Sequence, residues 1–206
     1  MLTAYGYSPS GNCWKVKTIL GMTGHAFDWV EVNSNAGGAR TPEFLALNPN
    51  GKIPIVKFDN GEVITESNAI LLHFAEGTRL LPPPGLARTR VVEWLFFEQY
   101  SHEPYIAVGR QLVSYLGGRE KHAARLPDIW ERGHKALKVM ENRLAAHKYL
   151  AGDSLSIADI ALYAYTHRAG EGDFDLSPYP GLRAWLARVG AEPGIVSIAP
   201  ARTAVS

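Results

Sequence analysis

A single cysteine in 206 residues leaves no partner for a disulfide within the chain, so a cross-linked secreted framework is not expected. The seven histidines are scattered away from zinc-ligand spacings, and no metal is called for. Charge of one sign is lacking too: 21 Lys and Arg face 20 Asp and Glu, the formal net charge is +1, and no basic run occurs. Neither nucleic acid nor an anionic membrane surface is therefore an expected partner. No apolar run approaches the ~18 residues of a membrane span, and "MLTAYGYSPS" has neither the basic nor the apolar part of a secretory leader. A cytoplasmic, reducing setting is expected. What is present is ordinary: 46% apolar and 20% charged residues, with enough chain for a substantial core.

The first eighty residues alternate strand and helix. "LTAYGY" (2–7) reads as a strand ending in a Ser/Pro/Gly turn. "NCWKVKTILGMTG" follows, with Val16, Ile19 and Leu20 at helical spacing and Gly24 as a stop. "FDWVEV" (27–32) reads as a second strand. Thr41 as N-cap, Pro42 at N1 and Glu43 in the first turn mark a short helix. Two β-rich runs flank the turn Asp59-Asn60-Gly61, and "ESNAILLHFAEG" closes the unit as a helix. The order β-α-β-α-β-β-α implies a mixed four-stranded sheet with helices on its faces. "TRLLPPPG" (78–85) reads as a linker, because three successive prolines cannot continue a helix. Beyond it, helices are predicted over roughly 86–117, 123–148, 156–169 and 180–190, the first kinked or broken at Pro104. The fold class is an α/β domain (1–77) followed by an all-α domain (86–206). In "LSIADI", Ser156 and Asp159 form a capping box with Leu155 and Ile160 at the staple positions, a structural signal worth about 1 kcal/mol.

Chemistry concentrates in three stretches. In "YSPSGNCWKV", Ser10 and Cys13 have the spacing of a redox C-x-x-C whose first sulfur has become an oxygen. Ser10 falls at the start of the first helix, where unpaired N–H groups and the helix dipole favour negative charge. A thiol with a pKa of about 8.5 needs a shift of ~1.5 units, about 2 kcal/mol, to be half ionised at pH 7. One hydroxyl donating to a thiolate supplies roughly 1.5–3 kcal/mol and the helix end up to ~1. Ser10 thus reads either as a plain N-cap or as the hydroxyl that ionises a substrate's thiol. Cys13 reads as buried packing or a residual redox thiol, and Asn12 as a second donor or a cap. In "NPNGKIPIV", a cis Ile53-Pro54 bond would turn the Ile53 main chain outward to pair with an extended peptide, with Lys52 beside it for a carboxylate or simply solvated. In "TESNAILL", Glu66 and Ser67 open the third helix, as a nest for an α-amino acid end or as a first turn capped by Thr65.

"SPSGNCWKV", "NPNGKIPIV", "TESNAILLHFAE" and "GDSLSIADI", in that order and across essentially the whole chain, resemble the cytosolic glutathione transferase family. The first half resembles its thioredoxin-like domain and the second its helical domain. The resemblance implies glutathione as co-substrate. Pro54 would be cis, Ile53 would pair with the backbone of glutathione's cysteine, Lys52 would meet the glycyl carboxylate, and Glu66 and Ser67 would hold the γ-glutamyl end. Ser10 takes the position of the thiolate-stabilising hydroxyl with Asn12 two residues on, as in some bacterial and fungal relatives that favour disulfide or peroxide chemistry. Tyr7 is a rival for that role and Ser8 a weaker one, while Arg40, before the second helix where many relatives carry a polar residue reaching glutathione, reads as that residue or, more simply, as a surface charge.

The expected activity is transfer of the glutathione thiolate to a small hydrophobic electrophile. Reduction of disulfides or peroxides and a non-catalytic carrier are the alternatives. The resemblance also implies a homodimer. The electrophile is expected against the helical half, with Tyr100, Tyr105 and Arg110 around the Pro104 kink as candidate lining. The other aromatics there read as core or dimer contacts. The tail "EPGIVSIAPARTAVS" promises no helix and is expected over the site or on the surface.

Overall fold

The computed structural model describes residues 1–198; the end of the tail, 199–206, lies outside the described residues. The first half forms a four-stranded sheet in the order β2-β1-β3-β4, built from β1 (Leu2–Gly6), β2 (Phe27–Glu31), β3 (Ile55–Lys57) and β4 (Val63–Thr65). β1 pairs parallel with β2, joined by helix α1 (Gly11–Met22), and antiparallel with β3. β3 and β4 make the hairpin about Asp59–Gly61, in the register Ile55↔Thr65. The short helix α2 (Pro42–Leu47) is capped by Thr41, whose hydroxyl accepts the Phe44 N–H at 3.3 Å. Helix α3 (Ser67–Ala75) follows β4 directly. The bond before Pro54 is cis.

The second half is helical: α4 (Leu86–Phe97), α5 (Glu103–Ser114), the single turn α6 (Gly118–Lys121), α7 (Leu126–Leu144), α8 (Ile157–Thr166) and α9 (Pro180–Gly190). The expected break near Pro104 is a π turn over Glu98–His102 that carries α4 into α5. Pro104 then sits in the first turn of α5, where its missing N–H leaves no bond unmade. Every residue of α8 is buried. Its N-terminus is held as the sequence indicates, with the Ser156 N–H donating to Asp159 Oδ2 at 3.0 Å.

The halves share one contiguous core. Val16, Ile19 and Leu20 of α1 and Ile70 and Leu71 of α3 pack into the same cluster as Ile160, Leu162 and Trp185 of α8 and α9. The proline-rich stretch is tied to that core, since Leu80 and Leu81 are buried and the Leu80 carbonyl accepts the Ile157 N–H at 3.0 Å. A buried ion pair crosses the junction: Lys15 Nζ of α1 lies 2.9 Å from Glu98 Oε1, both side chains fully enclosed. The described part of the tail runs over α1 and α8, where the Val196 carbonyl accepts from the Trp14 indole and Ile198 is buried beside His167.

Candidate active site

β1 delivers the chain to the N-terminus of α1 through the turn 7–10, closed by the Ser10 N–H donating to the Tyr7 carbonyl at 2.9 Å. Ser10 is the N-cap in extended conformation, and its hydroxyl oxygen accepts the Cys13 N–H at 3.4 Å. The turn is pinned from outside. Glu31 accepts both the Ser8 N–H (2.7 Å) and the Ser8 hydroxyl (2.8 Å), while Lys17 Nζ donates to Ser8 Oγ at 3.0 Å. Ser8 is thereby committed to Glu31, whereas Tyr7, Pro9 and Ser10 face a cleft of about 350 Å³ between the halves.

Cys13 lies behind this wall, fully buried, its sulfur accepting the Tyr7 N–H at 3.2 Å. Burial pushes its thiol up to about 11, outweighing the bonds from Ser10 and Tyr7, so the sulfur stays protonated at neutral pH.

Lys52 and Ile53 form a second wall of the cleft. The Ile53 N–H and C=O have no partner among the described residues, which leaves an edge open to an added strand. Pro54 is buried behind it. The Ile55↔Thr65 register brings Glu66 and Ser67 alongside this edge. Glu66 is exposed and holds φ at 64°, a conformation worth about 1–3 kcal/mol of strain for a residue with a side chain. Ser67 is buried, its hydroxyl donating to Asn12 Oδ1 at 3.1 Å. Asn12 in turn donates through Nδ2 to Glu103 Oε1 at 3.1 Å. Its amide is thus a brace between Ser67 and Glu103, not a free group in the cleft. Arg40 points elsewhere, donating to the Asn50 carbonyl at 3.3 Å.

From the helical half, Glu103, Ala107, Arg110 and Gln111 form one stripe of α5 along the cleft. Arg110 is nearly enclosed and donates to the Pro9 carbonyl (2.8 Å), Glu171 (2.7 Å) and the Tyr115 hydroxyl (2.9 Å), so it ties the Ser10 turn to α5. The other two lining candidates on these helices lie elsewhere. Tyr100, within the π turn, is 86% exposed, and the Tyr105 hydroxyl accepts from Arg132 at 3.5 Å; neither is part of the cleft lining. Residues not anticipated are Glu103, Tyr115 and Tyr165, with Ser34 and Asn35 at the rim. Burial raises the Glu103 carboxyl above its ordinary range, against the opposing pull of Lys15. Among the described residues no cluster of His, Cys, Asp and Glu could hold a metal, and no helix is long and apolar enough to cross a membrane.

The arrangement can take an extended peptide along Ile53, a carboxylate at Lys52, and an anion at the end of α1. The family model described as the glutathione S-transferase N-terminal domain matches residues 9–76, and that of the C-terminal domain matches 123–188. Glutathione S-transferase 3 of Zea mays is 36% identical over 202 residues, 93% of this chain and 90% of the maize protein. Disulfide-bond oxidoreductase YfcG of Escherichia coli strain K12 is 30% identical over 200 residues, 91% of this chain and 89% of that protein. The crystal structure of a glutathione S-transferase from Xanthobacter autotrophicus Py2 is 60% identical, with a TM-score of 0.94 over 97% of this chain and 98% of that one.

Proposed function

The chain belongs to the glutathione S-transferase family, and from that premise we propose that Ser10 is the hydroxyl that ionises bound glutathione. The observation that carries this is the state of the Ser10 side chain. Its oxygen is already used by the Cys13 N–H, and it lines the cleft, where its proton can be given to an anion. A thiolate there gains roughly 1.5–3 kcal/mol from the hydroxyl and up to about 1 from the α1 dipole, against the ~2 kcal/mol that half-ionisation at pH 7 requires. The tripeptide lies extended along Ile53 beside Pro54, its glycyl carboxylate at Lys52 and its γ-glutamyl end at Glu66 and Ser67. Asn12 acts through Ser67, bracing it against α5. The thiolate attacks an electrophile held against the α5 stripe: the carbon–sulfur bond forms as the electrophile's leaving group departs with its electron pair.

The working unit is a homodimer, as the family's architecture implies, and the setting is the cytoplasm. Residues 1–77 form the glutathione-binding domain, and those after the 78–85 linker supply the co-substrate wall.

The test is the ultraviolet difference spectrum of bound glutathione across pH. Wild type is expected to show thiolate at neutral pH. Ser10→Ala is expected to hold glutathione within about tenfold of wild type and lose most turnover. Unchanged turnover would move the role to another hydroxyl, Tyr7 first. Product analysis separates transfer from reduction: a thioether marks conjugation, oxidised glutathione marks disulfide or peroxide chemistry.

A further inference from the structure

The first turn of α1 presents the N–H groups of Gly11, Asn12 and Cys13, since that of Trp14 already bonds the Ser10 carbonyl. Cys13 is served by the Ser10 hydroxyl. Asn12 is served from the other half of the molecule: its N–H donates to the hydroxyl of Tyr165, on α8, at 3.2 Å. The Tyr165 ring packs against Gly11, so closely that a Cβ there would stand 2.6 Å from a ring carbon. Tyr165 is buried, yet it reaches the cleft that Ser10 lines.

The two hydroxyls are therefore in matching states at one helix end. Each oxygen accepts a first-turn N–H, and the Tyr165 proton has no acceptor among the described residues. Glu103, the acidic neighbour, accepts from Asn12 Nδ2 at 3.1 Å and from Gln99 Nε2 at 2.7 Å, with no bond from Tyr165 among the described residues. Tyr7 differs. It lines the cleft, but its bonds to the helix end are made by its main chain, through the N–H to Cys13 Sγ and the carbonyl to Ser10.

Resting on the glutathione reading above, we propose that Tyr165 is a second catalytic residue, donating a hydrogen bond from the helical half to the same thiolate that Ser10 meets. On binding, the thiol proton passes to solvent base and the sulfur keeps its electron pair. Neither hydroxyl is deprotonated. Both bonds weaken as the sulfur pair enters the new carbon–sulfur bond and the negative charge passes to the leaving group. Accepting an N–H polarises each O–H and strengthens it as a donor. Burial drives the Tyr165 phenol far above its ordinary range, and the carboxylates of Glu103 and Glu98 add to this, so it stays a donor at any working pH.

The decisive experiment follows the thiol pKa of glutathione bound to wild type, Tyr165→Phe, Ser10→Ala and the double variant. A lost hydrogen bond to an anion predicts that Tyr165→Phe raises the thiol pKa by about one to two units. Turnover at neutral pH should fall roughly tenfold and return at alkaline pH, with glutathione affinity within about threefold. Site-specific 3-fluorotyrosine at 165 keeps the ring packing and makes the phenol a stronger donor. It should lower the thiol pKa, a shift that a purely structural tyrosine would not produce. Wild-type thiol pKa in Tyr165→Phe, or no response to the fluorinated residue, overturns the proposal while leaving Ser10 in place. No glutathione bound by wild type would overturn the functional reading and this proposal with it.

Discussion

Lys15→Met probes the junction between the halves. Lys15 Nζ has three partners: Glu98 Oε1 at 2.9 Å, Asn68 Oδ1 at 3.2 Å and Ser67 Oγ at 3.4 Å. Methionine keeps most of the volume and removes the charge. Glu98 keeps donors on Oε2, from Asn68 (2.9 Å) and Gln99 (2.8 Å), but Oε1 is left facing nothing. An uncompensated buried carboxylate costs about 3–5 kcal/mol, which for a chain of this length lowers Tm by roughly 10 °C. Adding Glu98→Gln should recover most of that loss, because no charge then remains buried, and the coupling between the two changes should exceed about 2 kcal/mol. The pH dependence has a definite sign. In the wild type, burial alone would raise Glu98, but Lys15 and the hydrogen bonds hold it below the ordinary range. Its contribution is present above the unfolded carboxylate pKa of about 4.3 and is lost as pH falls through the lower folded value. Without Lys15, burial sets the folded pKa above the unfolded one, so the penalty is full at neutral pH and shrinks on acidification. Urea unfolding of the three variants between about pH 7 and pH 5 measures this. A Lys15→Met chain within about 1 kcal/mol of wild type at pH 7, or a gap that does not narrow toward pH 5, would refute the reasoning.

Cys13 should be inert to a thiol reagent in the native protein at neutral pH and react fully once denatured, given its zero exposure and a thiol raised to about 11; a stoichiometric native reaction would contradict this. Asp159→Ala should cost at least about 3 kcal/mol, read as a lowered urea midpoint. It removes the acceptor for the Leu150 N–H, the Trp185 indole and both donors of Ser156, at 2.9–3.0 Å, in a fully buried setting.

Features decided by near neighbours were legible in the sequence. Thr41-Pro42, the hairpin turn at Asp59–Gly61 and the Ser156/Asp159 box each involve groups a few residues apart, and each is found in place. The α5 wall was misread for a geometrical reason. Glu103, Ala107, Arg110 and Gln111 share a face at the helical spacing i, i+4, i+7, i+8, and Tyr105 lies two residues out of phase with it. Tyr100, three residues before Glu103, would lie near that face in an unbroken α-helix. Tyr100 instead lies within the π turn, whose wider winding breaks that phase, and it is exposed. Which α5 residues line the cleft follows helical phase after the turn, not aromatic character near the proline.

Tyr165 was out of reach for a different reason. It meets Asn12 across 153 positions of sequence, and only the docking of α8 on α1 brings them together. One trace of it stands in the N-terminal motif all the same. Glycine is a poor helix former, by about 1 kcal/mol relative to alanine, and nothing in the conformation of Gly11 asks for it, since its φ is not among the positive ones. What asks for it is the ring above: any side chain at 11 would meet Tyr165 at 2.6–2.9 Å. A glycine with no backbone reason, one residue after the hydroxyl assigned to the thiolate, marks the place where a second group from elsewhere in the chain comes down onto the same helix end.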